Sequence, residues 1–98
     1  MPRIKIVGVK DESYIKNKGE KNEEEKIGCR IFYQKQENEV EGFATGDEYL
    51  SYSNFPDEVE HLLRLKANAI GLDCFISKDV RQFNGKVYAY VDSFEILE

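Results

Sequence analysis

The sequence predicts a mainly β domain carrying a single helix, and three observations predict it. Five stretches are rich in β-branched and aromatic residues with stretches of period-two alternation. One segment after Pro56 has apolar residues at helical spacing between matched end signals, and Asn84-Gly85 is a tight-turn dipeptide just before the last strand.

The first strand is Arg3 to Lys10. Ile4 and Ile6 share a face, whereas Val7 and Val9 fall on the other parity, which calls either for a bulge near Gly8 or for burial on both sides. From Asp11 to Glu25 the chain is polar, is punctuated by Asn17, Gly19 and Asn22, and keeps no period. This stretch is expected to be an exposed, mobile connection. Its length of about fifteen residues exceeds the usual connection, so disorder and a functional loop are both open readings.

Lys26 to Lys35 reads as the second strand, with Ile27, Cys29, Ile31 and Tyr33 on one face and Arg30, Phe32 and Gln34 on the other. Gln36-Glu37-Asn38-Glu39 has turn composition, and Val40 to Thr45 makes a third strand. The second and third strands then form a hairpin with Glu37, Glu39 and Glu41 at its tip. Gly46-Asp47 either ends the third strand or bends it.

Asn54 is placed to cap the helix and Pro56 suits its first turn, having no N–H to lose. Asp57, Glu58 and Glu60 lie toward the positive end of the helix dipole, and Arg64 and Lys66 toward the negative end. Val59, Leu62, Leu63 and the stem of Lys66 form the core stripe, Phe55 staples the entry, and the helix stops near Asn68, ahead of Gly71. Ile70 to Ser77 is the fourth strand, with Ile70, Leu72, Cys74 and Ile76 on one face. Lys86 to Leu97 is the fifth. Its Phe94 and Ile96 share the parity of Tyr88 and Tyr90, so a bulge around Asp92-Ser93 is needed to return them to the core.

The order β-β-β-α-β-β is that of a five-stranded OB-like barrel, whose helix lies between the third and fourth strands. A β-grasp-like α+β arrangement is the alternative and needs a first strand that is peripheral or fused into the hairpin. With 98 residues, 41% hydrophobic, the chain has material for one core, so residues 1–98 are read as a single domain with a flexible loop at 11–25.

No apolar run approaches the length of a membrane span, and the N-terminus shows no signal-peptide pattern, so a cytoplasmic protein away from membranes is expected. The net charge of -5 is uneven: residues 1–30 carry +2, residues 31–60 carry -7, and residues 61–98 are neutral. That balance argues against a generic polyphosphate binder, whose affinity comes largely from counterion release, while leaving room for a local basic stripe. Cys29 and Cys74 sit in apolar strand sequence as small buried hydrophobes, and with the single His61 they match no zinc spacing. No phosphate loop, nucleophile elbow or metal helix is present either. The expectation is a non-enzyme without cofactor or metal.

Two sets of side chains are candidates for binding. Arg30, Phe32 and Phe43, with Lys35 and Lys26 at the strand ends, could supply cations for phosphates and rings for base stacking on a single strand. Rings on the exposed face of a small barrel are explained first by the sheet curling over them, with binding as the second reading. Tyr49, Tyr52 and Phe55 fall within seven residues and, beside Glu37 and Glu39, suit an interface with a basic protein, unless they simply cover the core under the helix.

Around Val40-Glu41-Gly42-Phe43-Ala44-Thr45, the single helix and the closing Gly85-Lys86-Val87-Tyr88-Ala89, the chain resembles the small OB-like accessory and single-strand-binding proteins of bacterial phages and conjugative elements. The resemblance implies a non-catalytic role on single-stranded nucleic acid or on a nucleoprotein complex. The acidic middle third departs from that pattern. An acidic adaptor for another protein and a self-associating structural subunit are the other readings, with the oligomeric state open.

Overall fold

The computed structural model describes residues 2–37 and 39–97. Its elements are β1 (Arg3–Asp11), β2 (Tyr14–Lys16), β3 (Glu24–Lys26), β4 (Gly28–Lys35), β5 (Ala44–Ser51), α1 (Pro56–Leu65), a 3-10 turn (Lys66–Ala69), β6 (Asp73–Phe83) and β7 (Lys86–Leu97). Five strands form one antiparallel sheet in the order β5-β4-β1-β6-β7, and β2 and β3 make a separate two-stranded ribbon. The domain is therefore mainly β with one helix, as its sequence predicts.

β1 lies at the centre of the sheet, antiparallel to β4 on one side and to β6 on the other. A bulge between Ile6 and Gly8 resolves the parity conflict, because it sets Val9 opposite the core residue Ile31 and leaves Val7 exposed. The second expected bulge is also present. Ser77 pairs with Ser93 but Lys78 with Val91, so Asp92 is the extra residue and Phe94 turns inward to 5% exposure.

α1 covers one face of the sheet. Ile4 and Ile6 from β1, Cys29 and Ile31 from β4, Leu50, Cys74, Ile76 and Phe94 meet Val59 and Leu62 of the helix in one buried cluster. Fully burying side chains of this size contributes about 1.5–3 kcal/mol each. The expected helical stripe holds at Val59, Leu62 and Leu63, but Lys66 is exposed, and Leu65 and Ala69 complete the contact instead. The reason is the change to a 3-10 turn at Lys66, which rotates the following side chains relative to the α-helical stripe.

Four expectations are corrected. The helix cap is Phe55 rather than Asn54; the Phe55 and Asn54 N–H groups both donate to Ser51, so the Asn54 side chain makes no cap bond. The polar stretch 11–25 contains the β2/β3 ribbon, paired Tyr14 to Lys26 and Lys16 to Glu24; three residues per strand are too few to show a period. The third strand runs over 44–51 rather than 40–45, leaving Phe43 and Glu41 in the loop of residues 36–43, of which Asn38 lies outside the described residues. Gly46 does not interrupt that strand, since the Tyr33 ring crosses it so closely that a Cβ there would come within 2.8 Å. Finally, the fourth strand begins at Asp73 rather than Ile70, which is 57% exposed in the preceding turn, and runs on to Phe83.

Asn84 and Gly85 both adopt positive φ, 49° and 75°, and close β6 onto β7 with Phe83 opposite Lys86. Among the described residues no ladder joins the two outer strands β5 and β7. The architecture is a five-stranded antiparallel sheet with a helix on one face, and among the described residues no closed barrel is found.

Candidate functional site

The open seam between β5 and β7 leads into a cleft of about 720 Å³. Its walls come from the outer edge of β5 and the turn after it, the β2/β3 ribbon, and the middle of β7. Rings dominate the lining: Tyr14, Tyr49, Tyr52, Phe55 and Tyr90. Glu24, Glu25 and Glu48 face Lys26 and Arg30, so carboxylates outnumber cations.

Local sequence explains each placement. Asp11 starts the ribbon: its carboxylate accepts from the Ser13 N–H at 3.0 Å and the Ser13 hydroxyl at 2.7 Å, and the Gly28 N–H donates to Ser13 Oγ at 3.3 Å. These bonds hold Asp11 below the ordinary aspartate range and tether the ribbon against β4. Tyr49 lies flat across Gly28, where a Cβ would overlap the phenol, and burial raises the Tyr49 hydroxyl. Phe55 makes an edge contact with Phe94 at 6.4 Å, so it staples the helix as well as closing the cleft floor. Tyr52 follows β5 in a turn, 41% exposed, with its N–H bonded to the Ile27 carbonyl at 2.8 Å.

The expected binding residues separate into distinct places. Arg30 and Phe32 lie on the uncovered sheet face, but Arg30 is held by Glu12 at 3.0 Å and Asp47 at 2.7 Å, which together raise its pKa. Arg3 and Lys5 pair with Asp73 on the same face, and Lys35 pairs with Glu37 at 2.9 Å. The cations expected to meet phosphates are thus engaged by carboxylates. Phe32 and Phe43 are both exposed, Phe43 from the loop. Glu37 and Glu39 sit at the Lys35/Ala44 end of the β4/β5 ladder, whereas Tyr49, Tyr52 and Phe55 cluster at the Gly28/Ser51 end. The two halves of the expected partner surface therefore stand about 20 Å apart.

Sequence reasoning placed β7 and its turn but missed the distal half of β6, residues 78–83. β1 pairs with β6 only through Arg3, Ile4 and Lys5, so past Ile76 that hairpin leaves the body as a two-stranded arm. Val80, Phe83, Val87 and Tyr88 on it are 63, 63, 67 and 50% exposed. Arg81 lies over the Tyr90 ring, 5.0 Å from its centre, and Lys78 reaches back to Glu48 on β5. The signal was present: counting back from Asn84-Gly85, Lys78 to Phe83 can mirror Lys86 to Val91.

Cys29 and Cys74 are free thiols in the core, raised by burial to about 11 and about 12, so neither is activated as a nucleophile. Among the described residues no three His, Cys, Asp or Glu side chains converge as metal ligands, and no helix is long and apolar enough to cross a membrane. Comparison with known proteins finds no matching family model, no similar curated protein and no similar solved structure.

Proposed function

We propose that the chain is a binding module that receives an extended segment of a protein partner in the seam between β5 and β7. The observation that carries this reading is that the outer edges of β5 and β7, without a ladder partner among the described residues, stand beside a ring-lined cleft with more carboxylates than cations. An unpaired strand edge offers a row of N–H and C=O groups, and adding a strand satisfies them while flanking pockets select side chains. The tyrosines give large contacts at low entropic cost, and the excess of carboxylates favours a segment with Lys or Arg. The same reading describes the fold as an OB-like barrel left open: the order third, second, first, fourth, fifth is a barrel order broken where the third and fifth strands would meet.

A second reading, binding of single-stranded nucleic acid, draws on the exposure of Phe32 and Phe43. One experiment separates the two. A displayed library of random twelve-residue peptides is selected on the immobilised protein, and a labelled oligothymidine is titrated in parallel at low salt. The strand-accepting reading expects basic, aromatic peptides whose binding falls about tenfold with Tyr52→Ala and is unchanged by Phe32→Ala with Phe43→Ala. Oligothymidine binding that is lost with the phenylalanine pair, with no peptide enriched, would overturn it in favour of the nucleic-acid reading.

A further inference from the structure

We infer that the segment received in the seam is the β6/β7 arm of a second copy of this chain. The inference rests on the strand-accepting reading above and names its partner.

A two-stranded hairpin is marginal alone in water and gains stability from a third strand or a covered face. Residues 79–89 have neither in this chain, although this part of the arm carries four large apolar side chains at half exposure or more. Its outer β6 edge, residues 77–83, is without a ladder partner among the described residues, and so is the outer edge of β5, residues 44–51. Seven and eight residues at the strand rise span about 23 and 26 Å, so the two edges match in length.

Charge selects the pairing. Lys78, Arg81 and Lys86 against Asp79 give the arm +2 in a chain of -5, which leaves -7 over the rest. Two arms laid together would repel, whereas a seam in which Glu24, Glu25 and Glu48 outnumber Lys26 and Arg30 attracts an arm, Glu25 directly and Glu48 by exchanging the Lys78 of its own chain for that of the second copy. The contact is between different surfaces of the two copies. Because each copy carries both, a two-fold exchange of arms closes on itself and leaves no free seam.

Complementation between two double variants tests this, using exposed positions so that folding, checked by circular dichroism, is retained. Arg81→Glu with Lys86→Glu reverses the arm, and Glu25→Lys with Tyr52→Lys reverses the seam. Sedimentation equilibrium should show the native chain dimerising, each variant alone associating about tenfold more weakly or worse, and an equimolar mixture recovering a dimer, since every contact in it again joins opposite charges. A native chain that stays monomeric at millimolar concentration overturns the inference. So does a mixture that fails to recover, or a seam variant that still dimerises through its arms. The seam reading is judged apart from this, by whether the arm variant still binds selected peptides.

Discussion

At the scale of single residues, two placements make quantitative demands. Gly28 is required because the Tyr49 phenol occupies the space a side chain would need. Gly28→Ala should lower stability by about 1–3 kcal/mol through overpacking. Urea unfolding checks the value, and the loss should shrink in the Gly28→Ala/Tyr49→Ala pair, where the clash is absent. Cys29 and Cys74 make the second demand. Burial raises their thiols from 9.0 to about 11 and about 12, so the folded state keeps both neutral where the unfolded chain ionises. Their contribution is complete below the unfolded thiol's titration and is lost as pH rises from 9.0 toward 11. The urea midpoint should fall between pH 7 and pH 10, roughly in step with the unfolded thiol range, and fall less when both cysteines are replaced by valine. An equal fall in the two proteins would place the alkaline loss in other groups.

At the scale of elements, what the sequence makes legible follows the strength of the local signal. The helix from Pro56 is readable because Pro56, the acidic first turn and the Val59/Leu62 spacing agree; its two ends shift, at the start because the Ser51 carbonyl and hydroxyl draw the chain into a turn that makes Phe55 the boundary, and at the finish because the α-helix gives way to the 3-10 turn at Lys66. The bulge at Asp92 is readable from parity because it returns Phe94 and Ile96 to the core, whereas at Gly8 parity leaves a bulge or two-sided burial open and the fold takes the bulge, bringing in Val9 but not Val7. The third strand is misplaced because Gly46 and Asp47 have turn composition. What rescues them is not local: the Tyr33 ring covers Gly46, and Arg30 holds Asp47 from the neighbouring strand. The β2/β3 ribbon is too short to announce itself. Of the candidate site, Tyr49, Tyr52 and Phe55 are legible as a cluster, but their separation from Glu37 and Glu39 depends on ladder register, which one strand's pattern does not carry.

At the scale of the whole molecule, the seam and the arm set the shape. A radius of gyration of 15.0 Å exceeds the roughly 13 Å of a compact chain this size, and the extents of 51 × 37 × 18 Å describe a flat, elongated body. The uncovered sheet face is a grid of ion pairs, the seam lining holds more carboxylates than cations, and the basic β6/β7 arm starts at the seam, where Lys78 meets Glu48, and extends beyond it. Such a distribution keeps like copies apart except where arm meets seam, which ties assembly to ionic strength. The openness of the sheet is the claim on which the seam, the arm and the partner all depend. Interstrand NOEs, with isotope-filtered spectra of a mixed labelled and unlabelled sample, test it most directly. The account predicts intrachain ladder contacts joining Arg30 to Tyr49, Ile4 to Cys74 and Val80 to Ala89, side-chain contacts only where Leu50 and Phe94 share the core, and no backbone-to-backbone ladder contacts joining residues 44–51 to residues 86–97 of the same chain. A continuous intrachain ladder between those two segments would contradict it.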